Sequence, residues 1–192
     1  LKDLNIPVVL QNYRERSDYF SNLTGSYEET GVMAAHYFIR KRFRHFAFYG
    51  KKGVIWSQER ASGFRKEVEK FGGEFNIFET ESLSDEQWGA SHDELDKWLL
   101  SLPKPVAIFA CDDTFALQIS QICKLNNIRI PDDIALLGVD NDEMICNLSD
   151  PPISSILLDV EKGGYDAARL LHQMVKEKRN VPFNIVVKPL RI

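Results

Sequence analysis

Short apolar runs punctuate the chain, each closed by Gly, Pro or an acidic residue. They are Ile6-Pro7-Val8-Val9-Leu10, Phe46 to Tyr49 before Gly50, Val106 to Ala110 before Cys111-Asp112-Asp113, Ile134 to Val139 before Asp140-Asn141-Asp142, and Ile153 to Leu158. A strand with one wet face alternates apolar and polar residues. These runs do not alternate, which predicts strands covered on both faces, as in a parallel sheet flanked by helices.

Amphipathic stretches fill the intervals. Ser26 to Arg40 carries Val32, Ala35, Tyr37, Phe38 and Ile39, and Ser26 with Glu29 has the spacing of a capping box. Phe64, Val68 and Phe71 give Ser57 to Phe71 a helical period that Gly72-Gly73 ends. Glu74 to Phe78 reads as a weaker strand and Ser84 to Leu100 as a helix burying Trp88, Leu95, Trp98 and Leu99. Asp113 to Leu125 and Val160 to Val175 are further helices, and Phe183 to Val187 a final strand. Strands alternating with helices of this length predict βαβ units and a doubly wound α/β fold.

Composition narrows the function. The chain has 192 residues with a net charge of −4, which argues against a general phosphate-binding surface, because nucleic-acid affinity rests on clustered Lys and Arg. Cys111, Cys123 and Cys146 form no CxxC pair and read as reduced thiols, which points to a cytoplasmic setting. No apolar run approaches the ~20 residues of a membrane span. The chain opens on Leu1, as a piece of something longer would.

Ligands of open α/β sheets lie at the carboxyl ends of the strands. Three runs end there in useful groups, namely Gly50 to Trp56 with Arg60 beyond it, Asp112-Asp113, and Asp140-Asn141-Asp142. Ionised carboxylates only accept hydrogen bonds and a guanidinium only donates them, whereas a sugar hydroxyl does both. A ring of hydroxyls therefore suits Asp, Arg and Asp together, with Trp56 as a flat wall for the C–H face of a sugar ring. The alternative roles are local ones, with Asp112 or Asp113 capping the next helix and Asp140-Asn141 making a turn.

At these residues the chain resembles a known family. Gly31-Val32-Met33-Ala34-Ala35, continuing to His45-Phe46-Ala47-Phe48-Tyr49-Gly50, is similar to the helix–strand signature of the LacI/GalR transcriptional regulators. Arg60-Ala61-Ser62-Gly63-Phe64 resembles their R-x-x-G-F helix start, and Cys111-Asp112-Asp113-Thr114-Phe115-Ala116-Leu117 their N-D-x-x-A segment. Ile130-Pro131-Asp132-Asp133-Ile134 through Gly138-Val139-Asp140-Asn141 resembles their I-P-D-D-I to G-F-D-N stretch. Pro152-Ile153-Ser154-Ser155-Ile156 looks like their crossing strand, and Gly164 to Leu171 like the helix after it. The Phe-Ala-Phe-Tyr-Gly run and Trp56-x-x-x-Arg60 are most similar to the xylose-operon branch of that family.

The resemblance implies a sensor domain of the periplasmic-binding-protein type I kind, with two lobes and a sugar, of pentose class, in the cleft. It implies ligand-binding roles for Trp56, Arg60, Asp112, Asp113, Asp140 and Asn141, with no catalytic residue, cofactor or metal. It further implies a homodimer that reaches DNA only through a domain outside this chain. Asp112 stands where the family usually has Asn, and Ser26 where an acidic residue is usual. Ile6-Pro7-Val8-Val9 falls near the start, so the first lobe is expected to be largely truncated. Residues 24–156 with 183–192 would form the second lobe, and 1–23 with 157–182 remnants of the first.

Rival functions fare worse. Cys111 sits at a strand end like a nucleophile, but His36, His45, His92 and His172 share no triad or ligand spacing with it. Asp112-Asp113-Thr114 lacks D-x-D-x-T spacing, and Arg60 would oppose a Mg²⁺ held by these acids. There is no G-x-G-x-x-G, Walker loop or G-x-S-x-G. A periplasmic sugar-binding protein of a transporter shares the fold and is the alternative. The regulator motifs and unpaired cysteines disfavour it.

Overall fold

The computed structural model describes residues 6–11, 16–81, 88–178 and 181–192, with side chains of its third helix described from residue 93 onward. Nine strands and six helices alternate through the described residues. A three-stranded parallel sheet holds β1 (Val9–Gln11), β2 (Ser21–Gly25) and β8 (Asn184–Val187) in the order β1-β2-β8. A six-stranded sheet holds β3 (His45–Lys51), β4 (Glu74–Thr80), β5 (Val106–Ala110), β6 (Ile134–Val139), β7 (Ser154–Leu158) and β9 (Pro189–Arg191). Its order is β4-β3-β5-β6-β7-β9, parallel except for β9 against β7. The helices are α1 (Tyr27–Arg40), α2 (Ile55–Phe71), α3 (Trp88–Ser101), α4 (Asp113–Leu125), α5 (Glu143–Leu148) and α6 (Val160–Glu177).

The uninterrupted apolar runs form the centre of the large sheet, where every residue of β5 and β6 is buried. Successive side chains point to opposite faces, so each strand feeds two cores. On one face Phe46, Phe48, Ala107, Phe109 and Leu137 meet Ala34 and Phe38 of α1 and Phe64 and Val68 of α2. On the other, Ala47, Tyr49, Ile108 and Leu136 meet Leu95 and Leu99 of α3 and Ile119 and Ile122 of α4. The predicted start of α3 at Ser84 and the side chain of Trp88 lie outside the described residues.

Helices α1 and α2 approach until their backbones touch. A Cβ on Gly31 would lie 2.1 Å from the Arg60 carbonyl oxygen, and one on Gly63 would lie 2.1 Å from that of Glu28. Only glycine allows this crossing, which brings Tyr27 beside Arg60.

Several expectations need correction. Ser26 precedes α1 but makes no side-chain cap, its φ −83°, ψ 69° lying outside the extended geometry an N-cap adopts. Its carbonyl instead accepts from the Thr30 hydroxyl at 2.9 Å. The strand after α6 does not join the large sheet as grouped from the sequence. Leu23, Thr24 and Gly25 pair with Ile185, Val186 and Val187, so residues 184–187 belong with β2. Only β9 reaches the large sheet, because the chain crosses over after Val187 and Leu157 faces Arg191.

Candidate functional site

The large sheet reverses its winding direction at β3. The chain runs from β3 outward to β4, then returns to place β5 on the other side of β3. A crevice opens outside the carboxyl ends of strands at such a switch point. Here Trp56 and Arg60 follow β3, Asp112 follows β5 and Asp140 follows β6. All four line one cavity of ≈ 590 Å³. Its opposite wall is the small sheet and α6, contributing Gln11, Leu23, Thr24, Val187, Val160 and Gly164.

Arg60 is the centre of the site and is only 4% exposed. Its Nη1 donates to the Cys111 carbonyl oxygen, and its Nη2 lies 3.5 Å from Oδ1 of Asp140. The guanidinium carbon sits 5.3 Å from the centre of the Trp56 ring and 5.6 Å from that of Tyr27, cation–π contacts that fix the fork between two aromatic faces. Its Nε is buried and no protein group accepts from it. The hydroxyl of Thr24 is in the same condition. A buried polar group left unpaired costs about 1–3 kcal/mol, so two on one cavity need a reason beyond folding.

Asp112 serves two ends at once. One carboxylate oxygen accepts from the Phe115 N–H at 2.9 Å, capping α4, while the residue also lines the cavity. Burial pushes its carboxyl above the usual range, opposed by the cap and reinforced by the charge of Asp140. Asp140 holds φ 99°, in the left-handed region that non-glycine residues seldom occupy, and its side chain is 53% exposed. Such strain, where it occurs, concentrates at functional sites.

Two sequence-derived candidates do not line this cavity. Asp113 is 2% exposed and points into the protein, accepting from the Ser155 hydroxyl at 2.6 Å and from the Asp142 N–H at 2.7 Å. It is a latch tying α4, β7 and the loop after β6. Asn141 (φ 53°) spends its N–H on the Ser155 hydroxyl at 3.0 Å and forms the turn after Asp140. Tyr27 and Thr24, which no sequence pattern singles out, line the same cavity; the crossing of α1 and α2 brings Tyr27 beside Arg60, and Thr24 comes from the small sheet.

A second cavity of ≈ 610 Å³ lies between α6 and β8, walled by Met174, Val181, Phe183 and Ile185. Its Arg169 and Asp166 already face each other at 3.3 Å. It lacks the convergent unpaired donors of the first cavity. Among the described residues no group of three His, Cys, Asp or Glu side chains could hold a metal ion, and no helix is long and apolar enough to cross a membrane. Burial raises the thiols of Cys123 and Cys146 to about 12 and that of Cys111 well above its usual value.

A small-molecule cavity between two α/β sheets, at the switch point of the larger one, defines a ligand-binding domain of the two-sheet type. The chain belongs to the periplasmic binding protein-like domain family, whose profile matches residues 35–192. Within it the chain is of the LacI type, as its motifs implied. It is 34% identical over 158 residues to the xylose operon regulatory protein of Escherichia coli K12, covering 79% of this chain and 40% of that protein. The HTH-type repressor PurR of Aliivibrio fischeri is 26% identical over 92% of this chain and 53% of its own length. A solved xylose-binding transcription activator superposes with a TM-score of 0.86 at 27% identity, over 98% of this chain and 52% of that one. A LacI-family regulator from Enterococcus faecalis with bound ribose shares the fold at a TM-score of 0.80 and 19% identity, over 99% of this chain and 68% of that one. The chain thus spans about two fifths of the length of the xylose operon regulator it matches.

Proposed function

We propose that this chain is the effector-sensing part of a sugar-responsive transcription regulator and that its cavity holds a neutral monosaccharide of pentose class. The observation that carries this reading is the convergence on one cavity of a buried, aromatic-clamped guanidinium with an unpaired Nε and two carboxylates. Arg60 donates to sugar oxygens, Asp112 and Asp140 accept from hydroxyls, and Trp56 and Tyr27 supply apolar faces. Asp112 and Asp140 outnumber the single guanidinium, which disfavours a phosphorylated effector. The xylose and ribose named for the relatives support a pentose.

Sugar bridging the cavity walls shifts the equilibrium between arrangements of the two sheets, and so changes how a cytoplasmic homodimer presents DNA-binding elements outside this chain. The large-sheet lobe then runs from α1 to β7, residues 27–158, with β9, and β1, β2, α6 and β8 belong to the other lobe. Cys111, buried and with its thiol held protonated, is not placed to act as a nucleophile.

Calorimetry of the full-length protein against D-xylose, D-ribose, L-arabinose and D-glucose tests this reading, with Arg60→Ala and Asp140→Asn alongside. Binding of a pentose that both substitutions weaken at least tenfold is expected. Binding that survives both, or no binding of any sugar, overturns the proposal. Asp140→Asn leaves the Arg60–Cys111 bond in place and so guards against loss of folding.

A further inference from the structure

We infer that Thr24 is a ligand-binding residue that determines specificity from the small-sheet side of the cavity, a role that rests on the sugar-site reading above. Thr24 lies on β2 opposite Val186 of β8, is 5% exposed, and lines the same cavity as Arg60. Among the described residues, its hydroxyl and Arg60 Nε are the two buried side-chain atoms without a hydrogen-bond partner.

Four other buried hydroxyls are put to use within the protein. That of Thr30 donates to the Ser26 carbonyl at 2.9 Å, and that of Ser155 to Asp113 at 2.6 Å. Ser57 accepts from the Lys51 N–H at 2.9 Å, and Ser21 from the Phe183 N–H at 3.1 Å. At position 24 the strand needs only a β-branched shape, which valine supplies without an unpaired oxygen. The hydroxyl therefore has no partner within the protein, and its residue lines the cavity that Arg60, with its own unpaired Nε, also lines.

The chemistry of the set fits one ligand type. Nε of Arg60 only donates, Asp112 and Asp140 accept while ionised, and a threonine hydroxyl does both. A hydroxyl on the ligand's small-sheet side matches Thr24, while an oxygen on its large-sheet side matches Nε. Thr24 belongs to the small sheet and Arg60, Asp112 and Asp140 flank the large one, so a ligand engaging both ties the two sheets together.

The test compares Thr24→Val and Thr24→Ser with the wild-type full-length protein, reading affinity for D-xylose and D-ribose by calorimetry and thermal unfolding without sugar. Thr24→Val is expected to melt at or above the wild-type temperature while its affinity falls roughly 5–10-fold, the loss of one hydrogen bond. Thr24→Ser is expected to stay within about threefold, since it keeps the donor and acceptor. Wild-type affinity in Thr24→Val overturns the inference, as does a lowered melting temperature that accompanies the loss. A wild-type protein that binds neither pentose overturns the sugar-site reading and this inference with it. Loss of binding in Arg60→Ala with unchanged Thr24→Val overturns the inference alone.

Discussion

Removing the carboxylate of Asp113 separates its latch role from a ligand role. The side chain accepts two hydrogen bonds, from Ser155 at 2.6 Å and from the Asp142 amide at 2.7 Å, at 2% exposure. Hydrogen bonds to a charged group contribute about 1.5–3 kcal/mol each, giving an upper range of about 3–6 kcal/mol. Two effects reduce it. Asp142 is exposed, so its freed amide reaches water, and burial holds the Asp113 carboxyl above its usual range, so truncation also relieves a desolvation cost. Asp113→Ala should therefore destabilise by about 2–4 kcal/mol, lowering the melting temperature by roughly 4–16 °C for a chain this long. Asp113→Asn, which keeps an acceptor oxygen, should cost less than half as much. Urea unfolding followed by circular dichroism gives the free energies, and calorimetry with D-xylose gives the affinity. Sugar binding should weaken only modestly, through the loosened loop that carries Asp140. An Asp113→Ala protein of wild-type stability that has lost sugar binding would refute the latch and return Asp113 to the ligand set.

Further predictions follow from other contacts. Gly63→Ala puts a Cβ 2.1 Å from the Glu28 carbonyl oxygen, so it should destabilise by about 1–3 kcal/mol in urea unfolding and weaken sugar binding by moving Tyr27 off Arg60. Asp112→Asn keeps a cap acceptor but removes a carboxylate whose folded-state pKa burial raises; the penalty on the wild type builds as pH rises from the unfolded-state pKa to the raised folded-state one and is complete above it. The variant should therefore melt higher than wild type at pH 8, with the difference vanishing as pH falls towards about 4. Arg129 holds the Asp133 carboxyl down at about 2, so its NMR titration should fall well below that of an ordinary aspartate, and Arg129→Ala should move it back up. Cys111, Cys123 and Cys146 should react with a thiol reagent at pH 8 only after denaturation, because burial keeps all three protonated; fast labelling of the native protein would contradict this.

What the sequence reveals and conceals follows from how each element is stabilised. β5 and β6 are legible because every residue is apolar and buried on both faces. β2 is not, because Ser21-Asn22-Leu23-Thr24-Gly25 is polar yet buried, its Asn22 amide donating to Ser17, Phe20 and Asn184. A buried polar strand needs partners distant in sequence, which no local pattern encodes. α5 and β9 are too short for a period. The candidate site was legible at Arg60, Asp112 and Asp140, since strand ends mark the crevice. The sequence could not tell which of the adjacent acids Asp112 and Asp113 faces it. One step along the start of α4 turns a side chain from the cavity to the core. Tyr27 was hidden for another reason. Its place beside Arg60 depends on two glycines letting α1 and α2 touch.

The central claim is that one sugar lies between Trp56, Arg60 and Thr24 and touches both sheets. A crystal structure of the full-length protein grown with D-xylose tests it most directly. One sugar is expected in that cavity, with an oxygen within hydrogen-bond distance of Arg60 Nε and hydroxyls on Asp140 and Thr24. A sugar seated instead in the cavity beside Met174 and Phe183, or one that leaves Arg60 untouched, would contradict it.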